Sequence, residues 1–231
     1  MNTQNLENIL FLDIETVPLV YQYSKLDKES KELWDKKWQY NKDVSSEKQY
    51  EKSGIYAEFA KVVCIGLGYY HSGKFRVKCL QSTDEKNVLT QFAELLEQHF
   101  NSPTAVLCAH NGKEFDFPFL CRRFVINSIP LPKILNIQGK KPWEINHLDT
   151  MEMWKFGDYK NYTSLNLLAH VFQIPSPKDE MDGSMVASAF YEKNALDKIA
   201  EYCMKDVITL ARVFGRFTNL RKLEDKDIIF V

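Results

Sequence analysis

Four apolar residues, Ile9-Leu10-Phe11-Leu12, run directly into Asp13-Ile14-Glu15-Thr16 near the start of the chain. A short apolar run of this kind reads as a buried strand. If the strand continues, its period of two turns Asp13 and Glu15 to one face. Adjacent carboxylates repel unless something positive lies between them, and a divalent cation with oxygen ligands is the usual answer. A charged turn after a strand gives the same D-x-E, so the rest of the chain has to decide.

The 231 residues suffice for one large domain or two small ones with a substantial core. Hydrophobic residues at 45% and charged ones at 26% are ordinary for a soluble globular protein. The sequence holds no apolar run long enough for a membrane span, and Met1 to Asn5 lacks a basic region followed by an apolar one. The expectation is a cytoplasmic protein with no membrane association. Cys64, Cys79, Cys108, Cys121 and Cys203 include no C-x-x-C pair, and the histidines are scattered. These spacings argue against a structural zinc site and for a reduced intracellular protein. Net charge is −1, from 30 basic and 31 acidic residues. That balance disfavours tight, non-specific binding to a long duplex. It is compatible with an enzyme gripping a few nucleotides where bound ions supply the positive charge.

Beyond Pro18, a Lys- and Glu-rich segment from about Tyr21 to Ser53 places Trp34 and Trp38 on one face of a helix. It reads as a helical insertion, either a solvated hairpin held by its two indoles or a substrate-gripping lid. Lys61 to Tyr70 and Phe75 to Leu80 form a hairpin. A helix follows from about Glu85 to Phe100, capped within Ser82-Thr83-Asp84-Glu85. Ala105 to Ala109 returns to strand, and a helix starts near Asp116, where Pro118 suits an early position. The last strand is expected over Asn146 to Met151. Helices then follow at Leu165–Phe172, Ser184–Glu192 and Leu196–Leu220, with Pro175 and Pro177 in a loop after the first. The implied architecture is α/β, a mixed sheet flanked by helices in a single domain spanning residues 1–231.

Two further stretches carry chemistry. His110-Asn111-Gly112-Lys113-Glu114-Phe115-Asp116 lies at the carboxyl end of a strand, the edge where ligands collect in open α/β sheets. Asp116 there is either a cation ligand or a helix N-cap. On the last helix, Tyr202 and Asp206 are four apart and share a face. D-x-E, then N-x-x-x-F-D, then Y-x-x-x-D, in that order, resembles the DEDD superfamily of 3′–5′ exonucleases, in the subgroup with tyrosine in the third motif (DEDDy). The nearest likeness is to bacterial predicted exonucleases similar to the proofreading domain of family B DNA polymerases. Asp182-Gly183-Ser184-Met185-Val186 and Ile199-Ala200-Glu201-Tyr202-Cys203 also resemble that subgroup.

The resemblance implies an RNase H-like fold with a five- to six-stranded mixed sheet, the first three strands antiparallel and the rest parallel to the first. It implies that Asp13, Glu15, Asp116 and Asp206 hold two divalent ions, Mg²⁺ or Mn²⁺, around a scissile phosphate, and that Tyr202 orients the attacking water. It also implies that Asn111, with Thr16 and Phe115, contacts the terminal nucleotide. The expected partner is the 3′ end of single-stranded nucleic acid, DNA before RNA. Asp149 is either an outer support of the site or a helix cap. Lys113, Lys140, Lys141 and Lys205 are candidate phosphate contacts, and Gly139-Lys140-Lys141-Pro142-Trp143 a candidate stacking loop. Two alternatives stay open: an RNA-trimming enzyme like the RNase D relatives, and a non-catalytic binding module. A binding module is expected to lack one of the four acids or the tyrosine. A partner-binding role for the Trp34/Trp38 segment is compatible with any of these.

Overall fold

Strand β1 (Ile9–Pro18) is the buried centre of the sheet, and Ile9 through Leu12 are fully excluded from solvent. The structure is a computed structural model that describes residues 6–41, 43–158, 160, 162–175 and 181–231. Helices α1 (Lys28–Trp38) and α2 (Ser46–Tyr50) follow β1 and form the expected insertion. Trp34 is its anchor, with 0% exposure. Edge-on rings of Tyr50, Tyr56 and Phe59 surround it, and its indole N–H donates to the Ser46 carbonyl at 2.9 Å.

Strands β2 (Ala60–His71) and β3 (Lys74–Gln81) make the expected hairpin. Its two-residue turn needs positive φ at both positions, supplied by Ser72 (51°) and Gly73 (75°). Helix α3 (Glu85–His99) is capped by Asp84, whose carboxylate accepts from the Lys86 amide. Then come β4 (Val106–Ala109), α4 (Asp116–Ile126), β5 (Leu148–Asp149) and α5 (Thr150–Lys155). The expected strand over Asn146–Met151 is therefore only two residues long, because the Asp149 carboxylate caps a helix that starts at Thr150. Helices α6 (Leu165–Val171), α7 (Val186–Tyr191) and α8 (Leu196–Thr218) close the order. Pro177 lies outside the described residues.

Besides α5, a strand was not foreseen. After α8 the chain returns to the sheet as β6 (Ile228–Phe230), parallel to β3. The six strands run β5-β4-β1-β2-β3-β6. β1 and β2 are antiparallel, as are β2 and β3, whereas β4 runs parallel to β1 and β5 parallel to β4. This is a mixed sheet flanked by helices, the RNase H-like arrangement expected.

Alternation along β1 builds both layers. Leu10, Leu12 and Ile14 pack with Val88, Leu89 and Phe92 of α3 and Phe117, Leu120 and Phe124 of α4. Ile9 and Phe11 face the other way, toward Val207, Ala211 and Phe214 of α8. Asp13 and Glu15 continue this second set, so the period of two aims both acids at α8. A buried ion pair fastens α3 to α4: Arg123 Nε and Nη2 donate to Glu85 at 2.8 and 2.5 Å. The Val62 amide and Asn127 amide group donate to the same carboxylate, leaving it fully satisfied.

Candidate active site

Asp13 lies opposite Gly66 of β2, and Glu15 opposite Cys64. A bulge between Glu15 and Thr16 shifts the register there, a device that often re-aims side chains beside functional sites. Helix α8 crosses this face very closely because β2 offers glycine beneath it. A Cβ on Gly66 would fall 2.8 Å from Cys203 Sγ and 3.1 Å from the Cys203 carbonyl oxygen. A Cβ on Gly68 would fall 2.7 Å from Val207 Cγ1. This close approach brings Asp206 to the strand, so that ligand oxygens of Asp13, Glu15 and Asp206 lie within 4.8 Å of one another. The Tyr202 hydroxyl donates to the Asp206 carboxylate.

Asp116 arrives from the other layer. It is the first residue of α4, not its N-cap, which is Phe115 with no side-chain cap bond. It is 4% exposed, and the backbone of Ile14 hydrogen-bonds its carboxylate. Burial pushes its pKa up to about 7, with Asp149 adding to the rise and its own and Ile14's backbone opposing it. Asp13 is raised by burial first and then by Glu15, Asp116 and Asp206. Glu15 is raised by burial and by Asp206 and Asp116. The Tyr202 phenol is also raised, chiefly by burial and then by the surrounding carboxylates. All four perturbed groups therefore resist carrying negative charge where they stand.

The Asn111 loop is set by Asp149. One of its oxygens accepts from the amides of Asn111 (3.0 Å), Met151 (2.9 Å) and Glu152 (3.3 Å), and the other from Lys113 (3.1 Å). The cap and the support are thus the same carboxylate. It holds Asn111 in the left-handed region, at φ 63°. At the next position a Cβ on Gly112 would meet Ala109 Cβ at 2.4 Å, so only glycine fits. His110 is structural: its ring nitrogens bond Thr150 Oγ1 and the Thr163 carbonyl.

The remaining candidates divide. Phe115 is half-buried against Phe119. The Thr16 hydroxyl donates to the Gly54 carbonyl at 2.6 Å, which commits its proton to tying β1 to the end of the insertion. Lys113 is paired with Glu152 at 2.8 Å, with little exposure left for a phosphate. Lys140 lines a cleft of about 810 Å³ with Phe100 to Val106 and His147, at the start of β4 and away from its carboxyl end. The Gly139–Trp143 stretch is accordingly not placed to stack a base at the acids, although Lys141 does sit over the exposed Trp143 ring. Lys205 fits better. With Lys193 and Lys198 it lines a cleft of about 680 Å³ that Tyr202, Met181 and Met185 also border. Lys193, between α7 and α8, and Lys198, on α8, had no readable signal, because surface lysines look alike in sequence.

The fold resembles that of the family B DNA polymerase from the hyperthermophilic archaeon Pyrobaculum calidifontis, with a TM-score of 0.56 at 14% identity. The likeness covers 88% of this chain and 24% of the polymerase, so the chain spans about a quarter of that protein's length. No curated protein sequence matches the chain. Residues 55–228 match a family described as predicted 3′–5′ exonucleases related to the exonuclease domain of PolB. The match starts after β1, so the D-x-E strand reaches the site through β1–β2 pairing and stands outside the matched residues. Carrying the N-x-x-x-F-D and Y-x-x-x-D motifs within that match, the chain belongs to this family of predicted 3′–5′ exonucleases, of DEDDy and RNase H-like kind.

Proposed function

We propose that the protein is a metal-dependent 3′–5′ exonuclease. It hydrolyses phosphodiester bonds at the 3′ end of single-stranded nucleic acid, DNA in preference to RNA, and releases nucleoside 5′-monophosphates. The observation that carries this reading is the meeting of Asp13, Glu15 and Asp206 within 4.8 Å, with Tyr202 bonded to Asp206 and the Asp116 carboxylate close enough to raise both Asp13 and Glu15. Hard carboxylate oxygens suit Mg²⁺ or Mn²⁺, and burial first, with neighbouring carboxylates second, pushes three carboxyl pKa values upward in a way that bound cations would relieve. Bound by these acids, two such ions would acidify a water and stabilise the attacking and leaving oxygens of an in-line displacement.

The protein's own residues do the positioning. Tyr202 holds its proton at neutral pH, since its pKa is pushed above the ordinary phenol value, so it orients the water and does not deprotonate it. Asn111, fixed by Asp149, faces the terminal nucleotide with Phe115 beside it. Lys193, Lys198 and Lys205 receive the phosphates that precede it. A grip on a few nucleotides is compatible with a net charge of −1. Five unpaired cysteines favour a reducing compartment, the cytoplasm.

The test is cleavage of end-labelled single-stranded DNA and RNA in Mg²⁺ or Mn²⁺, beside Asp13→Ala. The expected result is shortening from the 3′ end, lost in chelator and in the variant, and faster on DNA. Failure of the unmutated protein to shorten either substrate would overturn the reading in favour of a binding module. Shortening of RNA alone would transfer it to RNA trimming.

A further inference from the structure

A second donor cluster lies behind the carboxylates on the same face of the sheet. Cys64 is on β2, Cys79 on β3 and Cys203 on α8, yet their sulfurs lie within 4.8 Å of one another. Register explains the meeting. Asp13, Gly66 and Cys79 face one another across β1, β2 and β3, and Cys64 is two residues from Gly66 on the same side. Gly66 has no side chain, and Cys203 enters the space above it. The widely separated cysteine positions that argue against zinc in the sequence are thus brought together by strand pairing and one helix crossing.

We propose that Cys64, Cys79 and Cys203 form a binding site for one thiophilic divalent cation of the zinc class, with the fourth position left to water. Tetrahedral zinc–sulfur distances of about 2.3 Å put the sulfurs about 3.8 Å apart. The sulfurs already lie within 4.8 Å of one another and need only small movements to reach that spacing. The Gly66 amide donates to Cys203 Sγ at 3.2 Å, the kind of outer hydrogen bond that supports a coordinated thiolate. Cys79 is only half-buried, which gives an ion a way in. A disulfide fits the strands less well. Cys64 and Cys79 are diagonal in the β2–β3 ladder, since Cys64 pairs with Gln81 and Cys79 with Gly66. Diagonal Cβ atoms stand roughly 7 Å apart or a little less, against about 3.5–4.5 Å for a disulfide.

Soft thiolates select this site against Mg²⁺. The thiolate site stands on its own geometry, whether or not the carboxylates serve a nuclease. The test is titration of the reduced, chelator-stripped full chain with Co²⁺ under anaerobic conditions. Thiolate-to-cobalt charge-transfer absorption reports sulfur ligation, and an all-carboxylate site cannot produce it. The expected result is a band that saturates at one ion per chain and is displaced by Zn²⁺. Cys79→Ser should weaken binding by more than the roughly 10–100-fold that loss of an outer-sphere partner costs, and Cys121→Ser should leave it unchanged. Absence of the band in the unmutated protein overturns the proposal, a result that needs no variant to fold. A band of undiminished affinity in folded Cys79→Ser also overturns it.

Discussion

Replacing Asp116 with Asn separates the electrostatics of the site from its architecture. Asp116 is 4% exposed, and its pKa rises from an ordinary 3.8 to about 7, mainly because burial penalises the charged form. The folded protein therefore keeps a proton there that the unfolded chain gives up. That stability is complete below about pH 4 and is lost as pH rises toward 7, above which the ionised carboxylate opposes folding. A rise of about three pH units, at ~1.4 kcal/mol each, puts the full effect on the order of 4 kcal/mol. Asn is neutral throughout and keeps an oxygen for the backbone donors. In chelator at pH 8, Asp116→Asn should be more stable by about 2–4 kcal/mol, a rise of roughly 5–15 °C in Tm for a chain of this size. Near pH 4.5 the gap should nearly close. Millimolar Mg²⁺ or Mn²⁺ at pH 8 should raise the Tm of the unmutated protein by mass action and that of the variant much less. Thermal melts at the two pH values, with and without ions, decide the matter. A variant no more stable at pH 8 in chelator, or an unmutated Tm indifferent to both pH and ions, would refute the reasoning.

Three other perturbations follow from the same geometry. Tyr202→Phe keeps the ring but removes the hydroxyl bonded to Asp206, so turnover on labelled single-stranded DNA should fall by about 10²-fold while Mn²⁺ affinity, measured by calorimetry, stays within about twofold. Gly66→Ala drives a Cβ into Cys203 Sγ at 2.8 Å and its carbonyl oxygen at 3.1 Å, so α8 must lift. The expected cost is about 1–3 kcal/mol by urea unfolding, and adding Cys203→Ala should recover part of it but not all, because the carbonyl contact remains. Arg123→Ala leaves Glu85 buried without its partner and should cost roughly 3–5 kcal/mol in the same assay. A loss under 1 kcal/mol would show that water or Asn127 satisfies that carboxylate.

What the sequence discloses is what local pattern encodes. β1 was legible because four consecutive apolar residues cannot face water, and the β2–β3 hairpin because Ser72-Gly73 permits its turn. Asp13, Glu15, Asp116, Tyr202 and Asp206 were readable as an ordered set, and the fold brings them together. β5 was overread because Leu148-Asp149 looks extended until the Asp149 carboxylate turns back to cap α5. β6 escaped because three residues, one half-buried and two exposed, have no pattern of their own and become a strand only by pairing with β3. The Gly139–Trp143 loop was misplaced for a related reason: composition says what a loop can bind but not which end of β4 it reaches. The thiol cluster depends on register and a helix crossing, and neither is written in the spacing of Cys64, Cys79 and Cys203.

The site and the core make opposite demands on this fold. Apolar alternation on β1 fixes the register that stabilises the sheet, and that same register aims Asp13 and Glu15 at α8, where burial and the neighbouring carboxylates raise the cost of ionising both. Gly66 and Gly68 sharpen the conflict, since they let α8 deliver Asp206 into a space that already holds two carboxylates. The repulsion is therefore built by the packing itself. On the proposed two-ion reading, part of the energy that burial and repulsion withhold from the empty fold is returned when a divalent ion binds. A variant that relieves the repulsion is expected to gain stability and lose ion affinity together. Such a trade-off is expected of Asp116→Asn and not of Tyr202→Phe, whose hydroxyl adds no charge to the cluster at neutral pH.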